Sequence, residues 1–314
     1  MKQRVLTGLG LVAFLILIFF SKSITTYVFD AFVVLLSMYA AYEMSELLKK
    51  MGMYNNKYVI VAYPLLAYGL FQICLMQKVQ TLLIFVMQLA LLILMCAFVA
   101  VYGIIAKKKT DNEIKTRQLK MGVEQFSIFK SVHTLFGLVY PSAILTLMVF
   151  INNLENLTYT YSNFTGYEYA ISLFLLVFTF ATPIIVDTFA MLTGAVFKGK
   201  KLCPNISPKK TISGAVGGLL WGALGAVAVY FIFNSIDAYR TIFINLELYW
   251  WKVLIVGVIS ALVCQIGDLF ESYLKRKANV KDSGSILPGH GGILDRIDSH
   301  IANIIVVFIF MLLI

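Results

Sequence analysis

The chain has 314 residues, of which 60% are apolar and 13% charged, with a mean hydropathy of +0.85 and a formal net charge of +10. Soluble domains run near 45–50% apolar and about 25% charged, so an ordinary soluble domain, a disordered chain and a collagen-like repeat are all excluded. The four cysteines, Cys74, Cys96, Cys203 and Cys264, are too scattered for a disulfide framework or a zinc site and read as small hydrophobes.

A membrane-spanning helix needs about 20 mostly apolar residues. Nine blocks qualify approximately: Val5–Phe20, Ile24–Tyr42, Tyr58–Met76, Thr81–Ala106, Val132–Ile151, Tyr169–Val186, Ile212–Phe233, Trp251–Phe270 and Ile301–Ile314. The expectation is an all-α, polytopic integral membrane protein with about nine transmembrane helices. Residues 1–180 would be serial membrane helices, and 181–314 the region with polar cytoplasmic loops, together one integrated membrane domain. The first block resembles a signal peptide but lacks a small-residue cleavage site near Phe20-Ser21-Lys22, so it reads as a retained helix.

The basic residues alternate with this layout. Of the 26 lysines and arginines, only Lys22, Lys78, Arg240 and Lys252 fall on the odd-numbered connections. The positive-inside rule then puts the N-terminus in the cytoplasm and the C-terminus outside. The charge therefore speaks of topology and of attraction to anionic membrane lipids. Nucleic-acid binding is excluded as a reading because no soluble domain carries the charge. No internal repeat is visible, which counts against an inverted-repeat transporter.

Two polar cytoplasmic segments are not explained by hydropathy. The first begins at Asp187-Thr188-Phe189-Ala190, where the sixth block ends, and closes with Ser207-Pro208-Lys209-Lys210-Thr211. Pro208 implies a loop there. A Ser, a Thr and two lysines ahead of a helix N-terminus combine hydroxyl donors, positive charge and free backbone N–H groups, a natural phosphate site. The stretch Gly194-Ala195-Val196-Phe197-Lys198-Gly199-Lys200-Lys201 nearly spells a P-loop but places Lys201 where a Ser or Thr must bind magnesium, so it is not one. Gly214, Gly218 and Gly222 recur every four residues and read as a close-packing face between helices.

In the second segment Gln265, Asp268, Glu271, Ser272 and Lys275 share an arc of one helix. Asp268 follows an apolar run, and an ionised carboxylate at the centre of a membrane helix costs roughly 2.5–3.5 kcal/mol on insertion scales. Such a group persists where it faces a polar cavity with a cation. Further on, Gly289, Gly291 and Gly292 would let backbone approach a ligand, with His290 among them, and Asp295 and Asp298 share a face if a helix starts there. Four carboxylates beside many cations suit a metal–triphosphate site, because Mg²⁺ takes one or two carboxylates together with phosphates and water.

At this point the sequence resembles a known family. Ser272-Tyr273-Leu274-Lys275-Arg276, then Lys281-Asp282, then Leu287-Pro288-Gly289-His290-Gly291-Gly292-Ile293-Leu294-Asp295-Arg296-Ile297-Asp298, is similar to the signature of phosphatidate cytidylyltransferases. The Ser207–Thr211 and Asp187–Ala190 segments resemble that family too. Departures stand at Ala195, Lys198 and Gly199, where the family commonly has Gly-Arg-x-Phe-Gly-Lys, and at Met191 and Ser213.

The resemblance implies transfer of CMP from CTP to phosphatidic acid, giving CDP-diacylglycerol and pyrophosphate, on the cytoplasmic face of a cell membrane. It implies Mg²⁺ held by Asp268 and Asp295 with Asp298 and Asp187 in support, a second cation such as K⁺, and a homodimer. Lys209, Lys210, Lys275, Arg276 and Lys281 would neutralise phosphates. Ser207, Thr211 and Ser272 would donate hydrogen bonds, His290 would contact phosphate or leaving group, and Arg296 would orient the aspartates or bind substrate. Two rivals remain at the level of sequence: CTP-dependent transfer to another lipid phosphate or prenol, and a cation-coupled transporter with its ion on Asp268.

Overall fold

The structure is a computed structural model in which residues 16–157, 166–286 and 291–314 are described. The block Val5–Phe20 falls largely outside them, and His290 wholly so. Among the described residues eight helices are long and apolar enough to cross a membrane. The chain is a polytopic, predominantly helical membrane protein. Its contacts divide it into one compact unit of Met1–Thr146 with Ala278–Leu294, and another of Leu147–Lys277 with Asp295–Ile314.

The first unit contains α1 (Thr26–Lys50), α2 (Lys57–Met76), α3 (Thr81–Ile105), the short polar α4 (Lys107–Thr116) and α5 (Val123–Gly137). Thr25 and Asn56 cap α1 and α2, accepting backbone N–H bonds from Tyr27 and Val59. Such caps satisfy donors that have no partner inside the helix. In lipid the apolar faces gain little by meeting, so polar side chains and small residues lock neighbouring helices. Gln88 donates to the Ala67 carbonyl at 2.7 Å and Ser131 to that of Cys96 at 2.6 Å. His133 accepts the Tyr54 N–H at 3.2 Å, a structural use of that ring.

Helix α6 (Ile144–Asn152), which follows an irregular turn at Leu138–Ala143, runs across the division at Thr146, and the second unit then contains α7 (Glu168–Phe197) and a hairpin of β1 (Lys201–Cys203) and β2 (Ser207–Thr211). It continues with α8 (Ile212–Asn234), the short α9 (Asp237–Asn245), α10 (Trp250–Lys277) and α11 (Leu294–Leu313). The glycine face of α8 is used as its spacing implies. A Cβ on Gly218 would lie 3.1 Å from the Val186 carbonyl, and one on Gly214 2.6 Å from that of Ala190. Helices α7 and α8 thus touch backbone to backbone.

Two expectations are corrected. The segment before α8 is a two-stranded antiparallel hairpin, with Lys201 opposite Thr211 and Cys203 opposite Ser207, and not an open loop. Pro208 is tolerated because a two-stranded ribbon leaves outward N–H positions unpaired. Helix α7 also continues three turns beyond Val186, so Asp187 lies within a helix instead of at its end. The P-loop-like stretch starts inside that helix, since Gly194–Phe197 are helical.

Candidate active site

Four elements of the second unit bring the site together: α7 supplies Asp187, β2 supplies Lys210, α10 supplies Asp268, Glu271, Ser272 and Lys275, and α11 supplies Asp295 and Asp298. Gly267 allows the approach of α10 to α11. A Cβ there would sit 2.6 Å from the Ala302 Cβ and 2.9 Å from the Asp298 carbonyl oxygen. Asp268 follows Gly267 in the chain, so this close crossing is what sets it beside Asp298.

Helical spacing does the rest. Glu271 and Lys275 stand four residues apart on α10 and form an ion pair, with Glu271 fully buried. The Lys275 ammonium also reaches Asp295 Oδ1 at 2.7 Å, where the Asp295 side chain is only 4% exposed. Lys210 Nζ lies 2.5 Å from Asp268 Oδ2 and ties the hairpin to α10. Arg276 adds a second tie, its Nε donating to the Ile206 carbonyl at 3.2 Å. Ser272 donates to Asp268 Oδ1 at 3.4 Å.

Asp298 is buried and accepts the Ser299 N–H at 2.7 Å. The Ser299 hydroxyl donates to Asp187 Oδ2 at 3.2 Å. Asp187, Asp268 and Asp298 lie within electrostatic reach of one another. Three like charges gathered in this way repel one another unless a proton or a nearby cation offsets them.

Asp187, Lys210, Asp268, Ser272, Lys275, Asp295 and Asp298 therefore share one cluster, and Arg276 borders it. Ser207 and Lys209 lie on the same hairpin, Lys209 exposed. Thr211 serves as the N-cap of α8, its oxygen accepting the Gly214 N–H at 3.1 Å and the Ser213 hydroxyl at 3.2 Å. Arg296 is exposed on α11. Lys281 is exposed in the Ala278–Leu294 segment, which belongs to the first unit. Ser299, which bridges toward Asp187, was not anticipated; its place one residue after Asp298 and four after Asp295 was the available signal.

No three His, Cys, Asp or Glu among the described residues converge closely enough to cage a metal by themselves. The cluster offers hard carboxylate oxygens in excess of its lysines. That donor chemistry fits a cation such as Mg²⁺, which takes one or two carboxylates and fills its shell with phosphate oxygens and water.

The cytidylyltransferase family matches residues 2–314. A phosphatidate cytidylyltransferase of Rickettsia conorii is 51% identical over 125 residues, 40% of this chain and 52% of that protein. One from Staphylococcus haemolyticus is 41% identical over 134 residues, 43% of this chain and 45% of that protein. One from Brucella abortus is 37% identical over 135 residues, 43% and 46% of the two chains. The chain spans about half the length of the curated relatives it matches.

Proposed function

Because the chain belongs to the cytidylyltransferase family, we propose that it is a phosphatidate cytidylyltransferase that converts CTP and phosphatidic acid into CDP-diacylglycerol and pyrophosphate. A phosphate oxygen of phosphatidate attacks the α-phosphorus of CTP. The bond from that phosphorus to the bridging oxygen breaks, and pyrophosphate leaves with the electron pair. The attacking phosphate is already ionised, so positioning and charge neutralisation carry the catalysis and a strong general base is not needed.

The observation that carries the proposal is the cluster of Asp187, Asp268, Asp295 and Asp298 with Lys210 and Lys275 on α7, β2, α10 and α11. Asp268 and Asp295 would hold Mg²⁺, with Asp187 and Asp298 in support and available to a second cation such as K⁺. When bound there, Mg²⁺ would supply positive charge that offsets the triphosphate. An ammonium has three protons, so Lys210, which holds one carboxylate, and Lys275, which holds two, can still donate to a phosphate oxygen. Ser272 orients Asp268. Ser207, Lys209 and Arg276 extend the phosphate surface, with Thr211 at its edge; Lys281, His290 and Arg296 complete the set that the family signature suggests.

The Lys and Arg pattern supports a cytoplasmic face for this site. A single cysteine at Ser285 should then react with an impermeant thiol reagent only in opened membranes, and one at Ser235 in intact cells. The opposite pattern at either position overturns the orientation.

The deciding test of function is incubation of the purified protein with radiolabelled CTP, Mg²⁺ and either phosphatidic acid or a polyprenyl phosphate. Label in CDP-diacylglycerol, with release of pyrophosphate, is the expected result. Label on the prenyl lipid alone moves the substrate class, and no lipid label with either acceptor rejects the transferase.

A further inference from the structure

Glu43 lies in α1, in a stretch that the signature does not touch, and it is 2% exposed. Its carboxylate is held by the loop that leads into α11. Glu43 Oε2 accepts the Ser283 hydroxyl at 3.1 Å and the Leu294 N–H at 2.8 Å, and Oε1 accepts the Ile293 N–H at 3.1 Å. These partners are 240 to 251 residues away in the chain. A buried carboxylate persists only when its oxygens are hydrogen-bonded. The first N–H groups of a helix lack partners within it and favour an anion, and here those at the start of α11 meet a side chain of α1.

The glycines beside it now have a specific explanation. A Cβ on Gly284 or on Gly292 would overlap the Glu43 carboxylate, and at Gly292 the Ser283 hydroxyl as well. The absence of side chains at these two positions admits Glu43. The backbone donors of Ile293 and Leu294 are taken by this carboxylate. The next residue in the chain is Asp295, in the first turn of α11.

We infer that Glu43 is a positioning residue for the transfer reaction: without touching substrate, it holds Ser283 and the Ile293–Leu294 backbone, and so the start of the helix that carries Asp295. The inference rests on the proposed cytidylyl transfer for its kinetic arm only. Glu43→Gln keeps the size but removes the charge, and it turns an NH₂ toward backbone donors. In the intact chain in lipid nanodiscs, amide exchange should rise at least about tenfold at 283–286 and 291–294 and stay unchanged in α7 and α8. A displacement of the order of 1 Å in a reacting geometry costs on the order of 10²-fold, so kcat should fall by up to that factor while KM for CTP moves little. Glu43→Asp should recover part of kcat, and Gly292→Ala should reproduce the Gln signature without altering α1.

Asp295→Asn serves as the control, losing turnover with exchange at 293–294 unaltered. Wild-type exchange and wild-type kcat in Glu43→Gln would overturn the inference. So would exchange raised throughout the molecule, with turnover lost only in proportion to unfolded protein. If Glu43→Gln does not purify as one species, Ser283→Ala, which removes a single bond, is read by the same criteria. Should the wild-type protein transfer no CMP, the proposed function fails while the exchange arm still judges the clamp.

Discussion

Each compact unit carries a network of charged side chains, and the two have opposite balance. In the first unit Glu46 and Glu113 serve four cations: Lys49 at 3.8 Å and Lys57 at 3.7 Å from Glu46, Arg117 at 3.4 Å and Lys130 at 2.7 Å from Glu113. With Lys109 they line a cavity of about 340 Å³ at the ends of α1, α3 and α5, open enough that Lys49 is 64% exposed. In the second unit Asp187, Asp268, Glu271, Asp295 and Asp298 gather around Lys210 and Lys275, with Glu271 at 0% and Lys275 at 12% exposure. A solvated excess of cations at helix ends is what membrane topology and lipid headgroups demand. Glu271, Asp295 and Asp298, buried around Lys275 behind the more open Asp187 and Asp268, have no such explanation, and they fit the proposed cation and phosphate-bearing substrate.

If that contrast is right, the largest effect should come from Lys275→Met. It leaves Glu271 and Asp295 buried beside one another without their shared ammonium. Breaking a buried pair by removing one partner costs about 3–5 kcal/mol, so the thermal midpoint should drop by many degrees and transfer should be lost. A small shift in a thermal unfolding trace would mean that the cluster is far wetter than its exposure indicates.

Next come the carboxylates themselves. Asp268→Asn and Asp295→Asn keep shape and one oxygen but remove the charge assigned to the cation. Loss of a leading electrostatic contact costs on the order of 10²–10³ in rate, with folding little changed. Asp282→Asn, on the exposed part of the 281–286 segment, should cost much less. Turnover of the three variants across a Mg²⁺ titration separates the readings. Near-normal activity of both former variants at ordinary Mg²⁺ would remove them from the site.

Much of this region was legible in the sequence because a charge inside an apolar run is costly and therefore conspicuous. That made Asp268 visible, and the three-residue spacing of Asp295 and Asp298 anticipated a shared helical face. The extent of α7 was hidden for the same reason: hydropathy falls at Asp187 although the helix goes on, its polar residue facing Ser299. The hairpin was hidden because Lys201–Cys203 and Ser207–Thr211 lack alternation and contain a proline, and only their mutual register reveals them as strands. Glu43 could not be read at all, since its partners lie some 250 residues later and nothing local distinguishes it from an ordinary helix-end carboxylate.

The crossing that assembles the cluster offers a smaller effect. Gly267→Ala would press a methyl group against Ala302 and the Asp298 carbonyl. Overpacking of this kind typically costs 1–3 kcal/mol. Transfer should fall together with the thermal midpoint, because separating α10 from α11 moves Asp268 away from Asp298. Gly69→Ala meets nothing within 4 Å and should leave both quantities nearly unchanged. Equal behaviour of the two variants would show that the α10–α11 contact is not what places the carboxylates.

The smallest effect belongs to the other network. Glu113→Gln removes the carboxylate that Lys130 and Arg117 share, at side-chain exposures of 29% for Glu113, 23% for Lys130 and 40% for Arg117. Solvent reaches all three, so the lost attraction is partly replaced by hydration, and exposed pairs of this kind contribute about 0–1 kcal/mol. The two cations left behind repel each other, but salt and anionic headgroups screen them over about 10 Å at 0.1 M ionic strength. The thermal midpoint should therefore shift by a few degrees at most, the shift should shrink as salt is added, and turnover should stay within twofold of the wild type. A loss as large as that of Lys275→Met, insensitive to salt, would show that the first network is as buried as the second, and the difference in charge balance would then no longer distinguish a topological device from a site.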